Sequence, residues 1–328
     1  MQGSAQISKP SSRVACFRLR KYAVRFSSRL GICLSIMVCC LSSFAQAPSK
    51  AQALALPFDF YQNEIIFQVK VNGKGPFNMM LDTGTDPSAI DLATAREIGL
   101  KLDPVGRQGA GGGTSINLAY ETKLPLLEID GLTVKNIEAL AIDLSRISQR
   151  LGKPIHGVLG HSLLNNRIVQ IDYPQRVVRF YSKSPFAKAS NQPNTPKRTV
   201  LSFRYADDVL IDEVSVNGKK IVANLDTGSD GTFQLTPAAV SYLRLEDEVS
   251  KAKVSTSVGF NGVSENREGR IGSVTIGGIS IDAPTVIFFA RGAGRDKRAW
   301  GINIGNAFLK NFVMTIDYPR KLITLERP

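Results

Sequence analysis

The sequence predicts an all-β fold built from two tandem copies of one lobe. The tripeptide Asp82-Thr83-Gly84 returns 144 residues later as Asp226-Thr227-Gly228, and an apolar run precedes each copy. Val71-Asn72-Gly73-Lys74 matches Val216-Asn217-Gly218-Lys219 at nearly the same spacing, and two later Ile-Asp-Tyr-Pro segments match as well. A repeat with a nearly constant offset indicates two copies of one structural unit that differ mainly in their loops.

Each copy has the pattern of short strands joined by tight turns. Apolar, β-branched runs flank an Asn-Gly pair, which is a strong signal for a β-hairpin. A short helix follows each Asp-Thr-Gly: Asp91 is placed to cap one over 92–98, and Thr236 with Pro237 opens the other, which runs to Leu243. The predicted hairpin strands are 65–71 and 77–81 in the first copy and 209–216 and 221–225 in the second.

The chain divides into a leader, two lobes and a linker. Residues 1–47 hold seven Lys or Arg and no acid, then an apolar stretch and Ala45-Gln46-Ala47, which is the order of a secretory signal peptide. We expect cleavage after Ala47 and export to the periplasm or beyond, leaving no membrane span, with an uncleaved anchor as the alternative. The predicted parts are a signal peptide at 1–47, an N-terminal lobe at 48–182, a linker at 183–199 and a C-terminal lobe at 200–328.

Composition argues against several classes of function. All four cysteines lie in the leader, so the processed chain would have no disulfide and no thiol chemistry. Two histidines give no ligand cluster for a metal and no serine or cysteine triad, and we expect neither metal nor cofactor. Removing the seven basic residues of the leader from the formal charge of +13 leaves +6, an ordinary surface charge without the footprint of a nucleic-acid-binding protein.

The repeated motifs resemble those of the aspartic peptidases, closest to the retropepsin-like bacterial families. The resemblance covers nearly all of residues 60–327. It implies a bilobal acid-protease fold of two β-barrel lobes, in which two apolar segments thread beside the Asp-Thr-Gly loops and support them. The residues that carry it are Asp82-Thr83-Gly84-Thr85, Asp226-Thr227-Gly228-Ser229, and the segments that end at Gly160 and Gly305.

The acids two residues beyond each motif glycine, Asp86 and Asp230, have two interpretations. The resemblance implies that they orient the backbone of a bound substrate, whereas acids at these positions are equally typical of turns. His161 stands where retroviral members often have an arginine that pairs with the first of these acids. It is therefore either a partner of Asp86 or a partly buried structural histidine.

The chemistry explains why two such motifs are needed. Peptide hydrolysis without a metal or a nucleophilic side chain requires one group to activate water and another to protonate the carbonyl oxygen. Asp82 and Asp226 supply both if they lie about 3 Å apart and share one proton. The expected supports are Thr83 and Thr227 in the loops, glycines that permit a tight approach at Gly84 and Gly228, and hydroxyls for the outer carboxylate oxygens at Thr85 and Ser229.

Several further features have open interpretations. The glycine-rich stretch 109–113 is either a flap that covers substrate or a flexible surface loop, and Tyr120 is the only tyrosine near it. Trp300 is most simply a core residue, and His156 has no assigned role. Asn303 is more polar than the supporting segment prefers.

The sequence as a whole predicts an aspartic endopeptidase that acts on peptide or protein substrates. Because both copies lie in one chain, we expect the active site to be assembled within a monomer. The alternative is a member of the same fold that binds peptide without cleaving it, although binding alone would not require both aspartates.

Overall fold

Strands account for most of the first half of the chain. The computed structural model describes residues 53–109, 111–186, 194–292 and 298–328, so the predicted signal peptide at 1–47 lies outside the described residues and stays a prediction. The strands of this half are β1 (Ala53–Pro57), β2 (Asp59–Tyr61), β3 (Glu64–Val71), β4 (Lys74–Leu81), β5 (Ser88–Asp91), β6 (Arg107–Gln108), β7 (Leu118–Ile129), β8 (Leu132–Ile142), β9 (Gly157–Leu159), β10 (Ile168–Asp172) and β11 (Val177–Tyr181).

The second half repeats this arrangement. Its hairpins and its parallel crossover fall at equivalent places along the chain, as the internal repeat predicts. The strands are β12 (Arg198–Ser202), β13 (Arg204–Tyr205), β14 (Val209–Val216), β15 (Lys219–Leu225), β16 (Phe233–Leu235), β17 (Lys253–Gly259), β18 (Gly262–Arg270), β19 (Ser273–Ile276), β20 (Ile279–Asp282), β21 (Thr285–Phe288), β22 (Ile302–Ile304), β23 (Val313–Asp317) and β24 (Leu322–Glu326).

Helices in the described part of the chain are short. Asp91 caps the first, accepting a hydrogen bond from the Thr94 amide at 3.1 Å, and Thr236 caps the fourth in the same way through the Ala239 amide at 3.2 Å. Both caps are the residues that the sequence predicts. The helices are α1 (Leu92–Glu97), α2 (Ser145–Leu151), α3 (His161–Leu164), α4 (Pro237–Leu243), α5 (Glu246–Lys251) and α6 (Asn306–Leu309). None of them is long and apolar enough to cross a membrane.

Each lobe has its own sheet, and a third sheet is shared. The N-terminal lobe orders its strands β2-β3-β4-β9-β5-β8-β7-β6, and the C-terminal lobe orders them β17-β18-β21-β16-β22-β15-β14-β19-β20, with β13 paired to β14. The shared sheet runs β1-β11-β10-β23-β24-β12, and β10 pairs antiparallel with β23 across the lobe boundary. One apolar cluster of buried side chains extends through both lobes. The fold is therefore all-β and bilobal, which confirms the predicted class.

Within the predicted linker, residues 187–193 lie outside the described residues, and residues on both sides of them make contacts. The carbonyl oxygen of Phe186 accepts two hydrogen bonds from the Arg320 guanidinium, at 2.9 and 2.8 Å. The guanidinium of Arg198 lies 4.6 Å from the centre of the Phe186 ring. Because β12 begins at Arg198, the regular structure of the second half starts inside the stretch predicted as linker.

Candidate active site

The two Asp-Thr-Gly tripeptides meet between the lobes because equivalent strands carry them. Each tripeptide directly follows a strand with a buried end, β4 or β15, and a parallel strand runs alongside, β9 or β22. The amide of Asp82 donates to the carbonyl oxygen of Leu159 at 3.0 Å, and the amide of Asp226 donates to that of Ile304 at the same distance. The parallel strand therefore fixes the point at which each aspartate leaves its sheet.

Thr83 and Thr227 join the two loops by a reciprocal set of hydrogen bonds. The amide of Thr83 donates to the hydroxyl of Thr227 at 3.0 Å, and the amide of Thr227 donates to the hydroxyl of Thr83 at 3.1 Å. Each hydroxyl then donates across the lobe boundary, to the carbonyl oxygen of Leu225 at 2.7 Å and of Leu81 at 3.0 Å. Because both threonines are buried, these hydrogen bonds fix the distance between the two loops.

Glycine is required where the two carboxyl groups approach the opposite loop. A Cβ on Gly228 would overlap the carboxyl group of Asp82, and a Cβ on Gly84 would stand only 3.0 Å from the Asp226 carboxyl carbon. Each glycine amide donates to the carboxylate of its own loop, Gly84 to Asp82 at 2.7 Å and Gly228 to Asp226 at 2.9 Å. Any side chain at Gly228 would therefore force the pair apart.

Gly160 and Gly305 lie beside the same loops at the ends of β9 and β22. A Cβ on Gly160 would overlap the carbonyl oxygen of Thr85, and a Cβ on Gly305 would overlap that of Gly231. The amide that follows Gly160, that of His161, donates to the Thr85 carbonyl at 2.8 Å. These contacts hold the segments ending in glycine against the Asp-Thr-Gly loops, as the resemblance implies.

The outer oxygens of the two carboxylates are held by different groups. The Thr85 hydroxyl donates to Asp82 Oδ2 at 2.5 Å, as expected. Ser229 occupies the equivalent position, but its buried hydroxyl has no hydrogen-bond partner among the described residues. The amide of Asn303 donates to Asp226 Oδ2 instead, at 2.8 Å. The expected contribution of the Ser229 hydroxyl is therefore wrong, and the unusually polar Asn303 takes over that contact.

The surroundings of Asp82 favour the protonated form of its carboxyl group. Its side chain is buried, with 7 % of the residue exposed. Burial and the nearby charge of Asp226 raise the pKa of Asp82 to about 8, although hydrogen bonds from Thr85 and Gly84 act in the opposite direction. The two carboxyl groups also share a hydrogen bond. The arrangement can therefore hold one proton between two oxygens over a wide range of pH.

The acids beyond the motif glycines make contacts across the lobe boundary. Asp86 is exposed and accepts a hydrogen bond from the Tyr205 hydroxyl at 2.7 Å. Asp230 pairs with the guanidinium of Arg150, and its carbonyl oxygen accepts from the Asn63 side chain at 3.0 Å. Asp230 lines the cavity that contains the aspartate pair, whereas Asp86 is not among the described residues that line it. Asp230 is therefore placed at the cavity and Asp86 is not, while the substrate-binding role of both acids stays a prediction.

The histidines have structural positions. The His161 ring stacks on Tyr205 of the other lobe, with ring centres 3.7 Å apart, so Tyr205 is a partner of both His161 and Asp86. His156 Nδ1 accepts the Asn78 amide at 3.0 Å. In the described residues, no group of three His, Cys, Asp or Glu side chains is arranged to hold a metal ion.

Two hairpin tips, one from each lobe, close the cavity over the aspartates. The amide of Asn261 donates to the Gly112 carbonyl at 2.8 Å, and its side chain donates to the Gly109 carbonyl at 3.0 Å. The Ser115 amide donates back to the Asn261 carbonyl at 2.8 Å. Gly111, Gly112, Gly259 and Phe260 line the cavity, while Ala110 lies outside the described residues.

The hairpin contacts differ from the sequence-based expectation in one respect. Tyr120, the only candidate for an aromatic residue on the flap, packs near Gly106 and against the core of its lobe. It is not among the described residues that line the cavity. Phe260, at the tip of the opposite hairpin, supplies the aromatic ring instead.

The cavity is small with the hairpins in contact. Its volume is about 190 Å³, below the roughly 300 Å³ at the lower end of small-molecule sites. A ligand larger than a small molecule therefore needs the two tips to separate before it can enter.

Two buried acids in the cavity wall were missed by sequence reasoning. Glu64 and Asp208 each stand 18 residues before the aspartate of their own lobe, so they are equivalent positions of the repeat. Both line the cavity, with 2 % and 5 % of the residue exposed. The indole Nε1 of Trp300 donates to Asp208 at 3.0 Å, so this tryptophan contributes to the cavity wall as well as to the core. The sequence did contain a signal for both acids, because they stand at matched positions of the repeat, where Glu64 begins β3 and Asp208 directly precedes β14.

Comparison with known proteins agrees with this geometry. The family model described as aspartyl protease matches residues 67–163 and 213–306, one match in each lobe. The first match contains Asp82 and Gly160, and the second contains Asp226 and Gly305. A search among curated proteins found no match. Because the two matched regions together cover more than half of the chain, this protein belongs to the aspartyl protease family.

Proposed function

We propose that the protein is an aspartic endopeptidase in which Asp82 and Asp226 activate water together. The observation that carries the proposal is a close pair of carboxyl groups, Asp82 buried and Asp226 half-buried, that share a hydrogen bond while interlocked loops hold them at a fixed spacing. A pair that shares one proton contains both the base and the acid that amide hydrolysis needs.

In the proposed reaction, the ionised member of the pair takes a proton from water as the water attacks the scissile carbonyl carbon. The protonated member donates to the carbonyl oxygen, which gives a neutral gem-diol and keeps one proton on the pair. Collapse of this intermediate returns a proton to the nitrogen of the leaving amine. The pKa of about 8 favours Asp82 as the group that carries the proton at the start.

The hydrogen bonds around the pair support this division of roles. Asp82 accepts from Gly84 and Thr85, and Asp226 accepts from Gly228 and Asn303, so each carboxyl group has one oxygen held by a backbone amide and another held by a side chain. Groups oriented in this way need little reorganisation during the reaction.

The shape of the site supports an extended peptide as the substrate. The aspartates lie between two lobes, and a hairpin from each lobe closes the cavity. We further propose that a single chain forms the complete site, because both aspartates, both threonines of the interlocking network and both hairpins belong to it.

The experiment is cleavage of a mixed library of internal peptide bonds by the purified chain at several pH values, followed by mass spectrometry of the products. We expect cuts within peptides and their suppression by pepstatin, a mimic of the tetrahedral intermediate. Cleavage that persists in an Asp82→Asn or Asp226→Asn preparation would show that the activity comes from a contaminant. Intact peptides with measurable binding would favour the non-catalytic alternative.

A further inference from the structure

Glu64 is a buried acid in the cavity wall that has one long ion-pair contact and no hydrogen-bond partner among the described residues. Its nearest cation in this part of the chain is Arg150, whose Nη1 lies 3.9 Å from Glu64 Oε1, too far for a hydrogen bond. The other oxygen, Oε2, is buried and has no hydrogen-bond partner among the described residues. Arg150 itself makes its close contact with Asp230. A carboxyl oxygen buried without a partner costs free energy, and a bound ligand could supply the missing donor.

The equivalent acid in the other lobe is already satisfied. Asp208 Oδ2 accepts from the Trp300 indole at 3.0 Å and lies 3.6 Å from Arg298 Nη1. The repeat therefore contains an internal control, because two acids at matched positions in one cavity differ in whether the protein itself supplies a partner.

The cavity as a whole favours a cation over an anion. Among the described residues that line it, acids outnumber bases by five to two, and acids remain in excess when the aspartate pair holds one proton, in a protein whose formal charge is positive. A concave site with an excess of one charge raises the local concentration of ligands of the opposite charge. The acids are Glu64, Asp82, Asp208, Asp226 and Asp230, and the bases are Arg150 and Arg298.

We propose that Glu64 is a specificity-determining residue that selects substrates with a lysine or arginine side chain on one side of the scissile bond. The proposal rests on the proposed function, since it names the substrate class of the same cleft. A substrate ammonium or guanidinium group would donate to the unpartnered Oε2 once the hairpins separate. Burial raises the pKa of Glu64 well above its usual range, Arg150 opposes this shift and the aspartate pair adds to it, so a further cation at this oxygen would favour the ionised form.

The test uses internally quenched peptides that share one sequence except at a single varied residue. One residue is varied among lysine, norleucine and glutamate at each of three positions before and after the cut. Norleucine has the aliphatic side chain of lysine without the ammonium group. The ratio of kcat/KM for the lysine peptide over the norleucine peptide therefore measures the contribution of that group. We expect the wild-type ratio to reach about tenfold at one position, with glutamate the poorest residue there; a charge-assisted pair of this kind typically gives such a factor.

Matched variants locate the effect. Glu64→Gln should reduce the ratio below about threefold, while Glu64→Asp, which keeps the charge, should retain part of it. Asp208→Asn removes an acid at the equivalent position of the other lobe, and Glu138→Gln removes an exposed acid outside the cavity. Both variants should keep the wild-type ratio. A preference that survives Glu64→Gln, or that disappears equally in Glu138→Gln, would overturn the proposal.

A binding measurement separates this proposal from the proposed function. The affinity of the lysine and norleucine peptides is measured by fluorescence anisotropy on wild type and Glu64→Gln, at a pH where turnover is negligible. Tighter binding of the lysine peptide that depends on Glu64 supports the subsite even if no peptide is cleaved. If the norleucine peptide is cleaved and neither assay shows a preference for lysine, the proposed role of Glu64 is wrong. The endopeptidase proposal is then still supported.

Discussion

The two lobes share a backbone plan but hold their aspartates in different ways. In the N-terminal lobe, Asp82 is bound by the hydroxyl of Thr85, three residues along the same loop. In the C-terminal lobe, Asp226 is bound by the amide of Asn303, which projects from the parallel strand β22. The same oxygen is therefore supported by a local contact in one lobe and by a contact distant in sequence in the other.

This difference shows which parts of the site the repeat constrains. The backbone contacts come in pairs, with equal 3.0 Å hydrogen bonds from the Asp82 and Asp226 amides to the neighbouring strands. Apart from the reciprocal hydroxyl contacts of Thr83 and Thr227, the side-chain contacts do not, since Glu64 lacks the indole that Asp208 receives from Trp300. We infer that symmetry in the backbone sets where the two carboxyl groups meet, while divergence in the side chains makes the two halves of the cleft chemically distinct.

The largest expected effect is the loss of turnover when either aspartate is neutralised. Asp82→Asn and Asp226→Asn should each lower kcat about a thousandfold or more, because a single carboxyl group cannot serve as both base and acid. The measurement is kcat on one quenched peptide, with folding checked by circular dichroism. A variant that keeps more than about a tenth of the wild-type rate would show that the lobes do not contribute equally to a pair.

The same two variants also test whether one chain forms the whole site. Mixing Asp82→Asn with Asp226→Asn chains should restore no activity, and the specific activity of wild type should be constant from nanomolar to micromolar enzyme. Recovery of activity on mixing would mean that lobes from different chains pair, and it would contradict assembly within a monomer.

The next effect concerns the groups that hold the outer oxygens. Loss of a hydrogen bond to a charged group costs about 1.5–3 kcal/mol, or roughly 10–100-fold in rate if it is lost in the transition state. We expect Thr85→Val and Asn303→Ala to lower kcat/KM within that range, and Ser229→Ala to change it less than about threefold. An equal loss in Thr85→Val and Ser229→Ala would mean that the two lobes use equivalent hydroxyls and that Asn303 is not the partner of Asp226.

Much of the plan was predictable from sequence because it depends on local patterns. The Asn-Gly turns, the caps at Asp91 and Thr236 and the repeated Asp-Thr-Gly loops follow from short-range rules and from the constant offset of the repeat. The bilobal all-β class follows from the same repeat. These features depend on residues that are close in sequence, or on the equivalence of two segments.

The remaining features required the three-dimensional structure because they join residues far apart in the chain. Nothing at Ser229 reveals that its hydroxyl lacks a partner, since that depends on Asn303 occupying the contact from another strand. Phe260 reaches the cavity only because the hairpin tips meet. Glu64 and Asp208 could have been found from the repeat, but their different surroundings could not, because Trp300 lies 92 residues from Asp208.

A smaller effect is expected where the two hairpins meet. The Asn261 side chain donates to the Gly109 carbonyl, and each such hydrogen bond contributes about 1 kcal/mol. Asn261→Ala should therefore speed amide hydrogen exchange over residues 111–117 by about fivefold or more, since exchange there requires the tips to part.

Asn311→Ala is the matched control, because the Asn311 side chain donates to the carbonyl of Phe308 at the end of its own short helix. Exchange at the hairpin tip should be unchanged in this variant. Unchanged exchange in Asn261→Ala as well would show that the backbone contacts alone keep the hairpins together.

The last expected effect is on stability and not on rate, a pH-dependent change that distinguishes Asp82 from an ordinary surface acid. The folded-state pKa of Asp82 is raised to about 8, well above the ordinary value of about 4 for an aspartate. The native state therefore holds a proton that the unfolded chain has lost between about pH 4 and pH 8, and in that window the stability of wild type falls as pH rises. Replacing the acid with asparagine removes this cost.

The difference in Tm between Asp82→Asn and wild type should accordingly grow from pH 4 to pH 8, to about 10 °C, and then level off. Asp143→Asn gives the opposite case, because hydrogen bonds from Ser145 lower the pKa of Asp143. Its contribution is complete above the unfolded pKa and lost only at acid pH, so its Tm difference should be flat between pH 5 and pH 8. Thermal unfolding across this range decides the matter. A flat profile for Asp82→Asn would mean that the native pair binds no extra proton in this range, and it would contradict the shared proton.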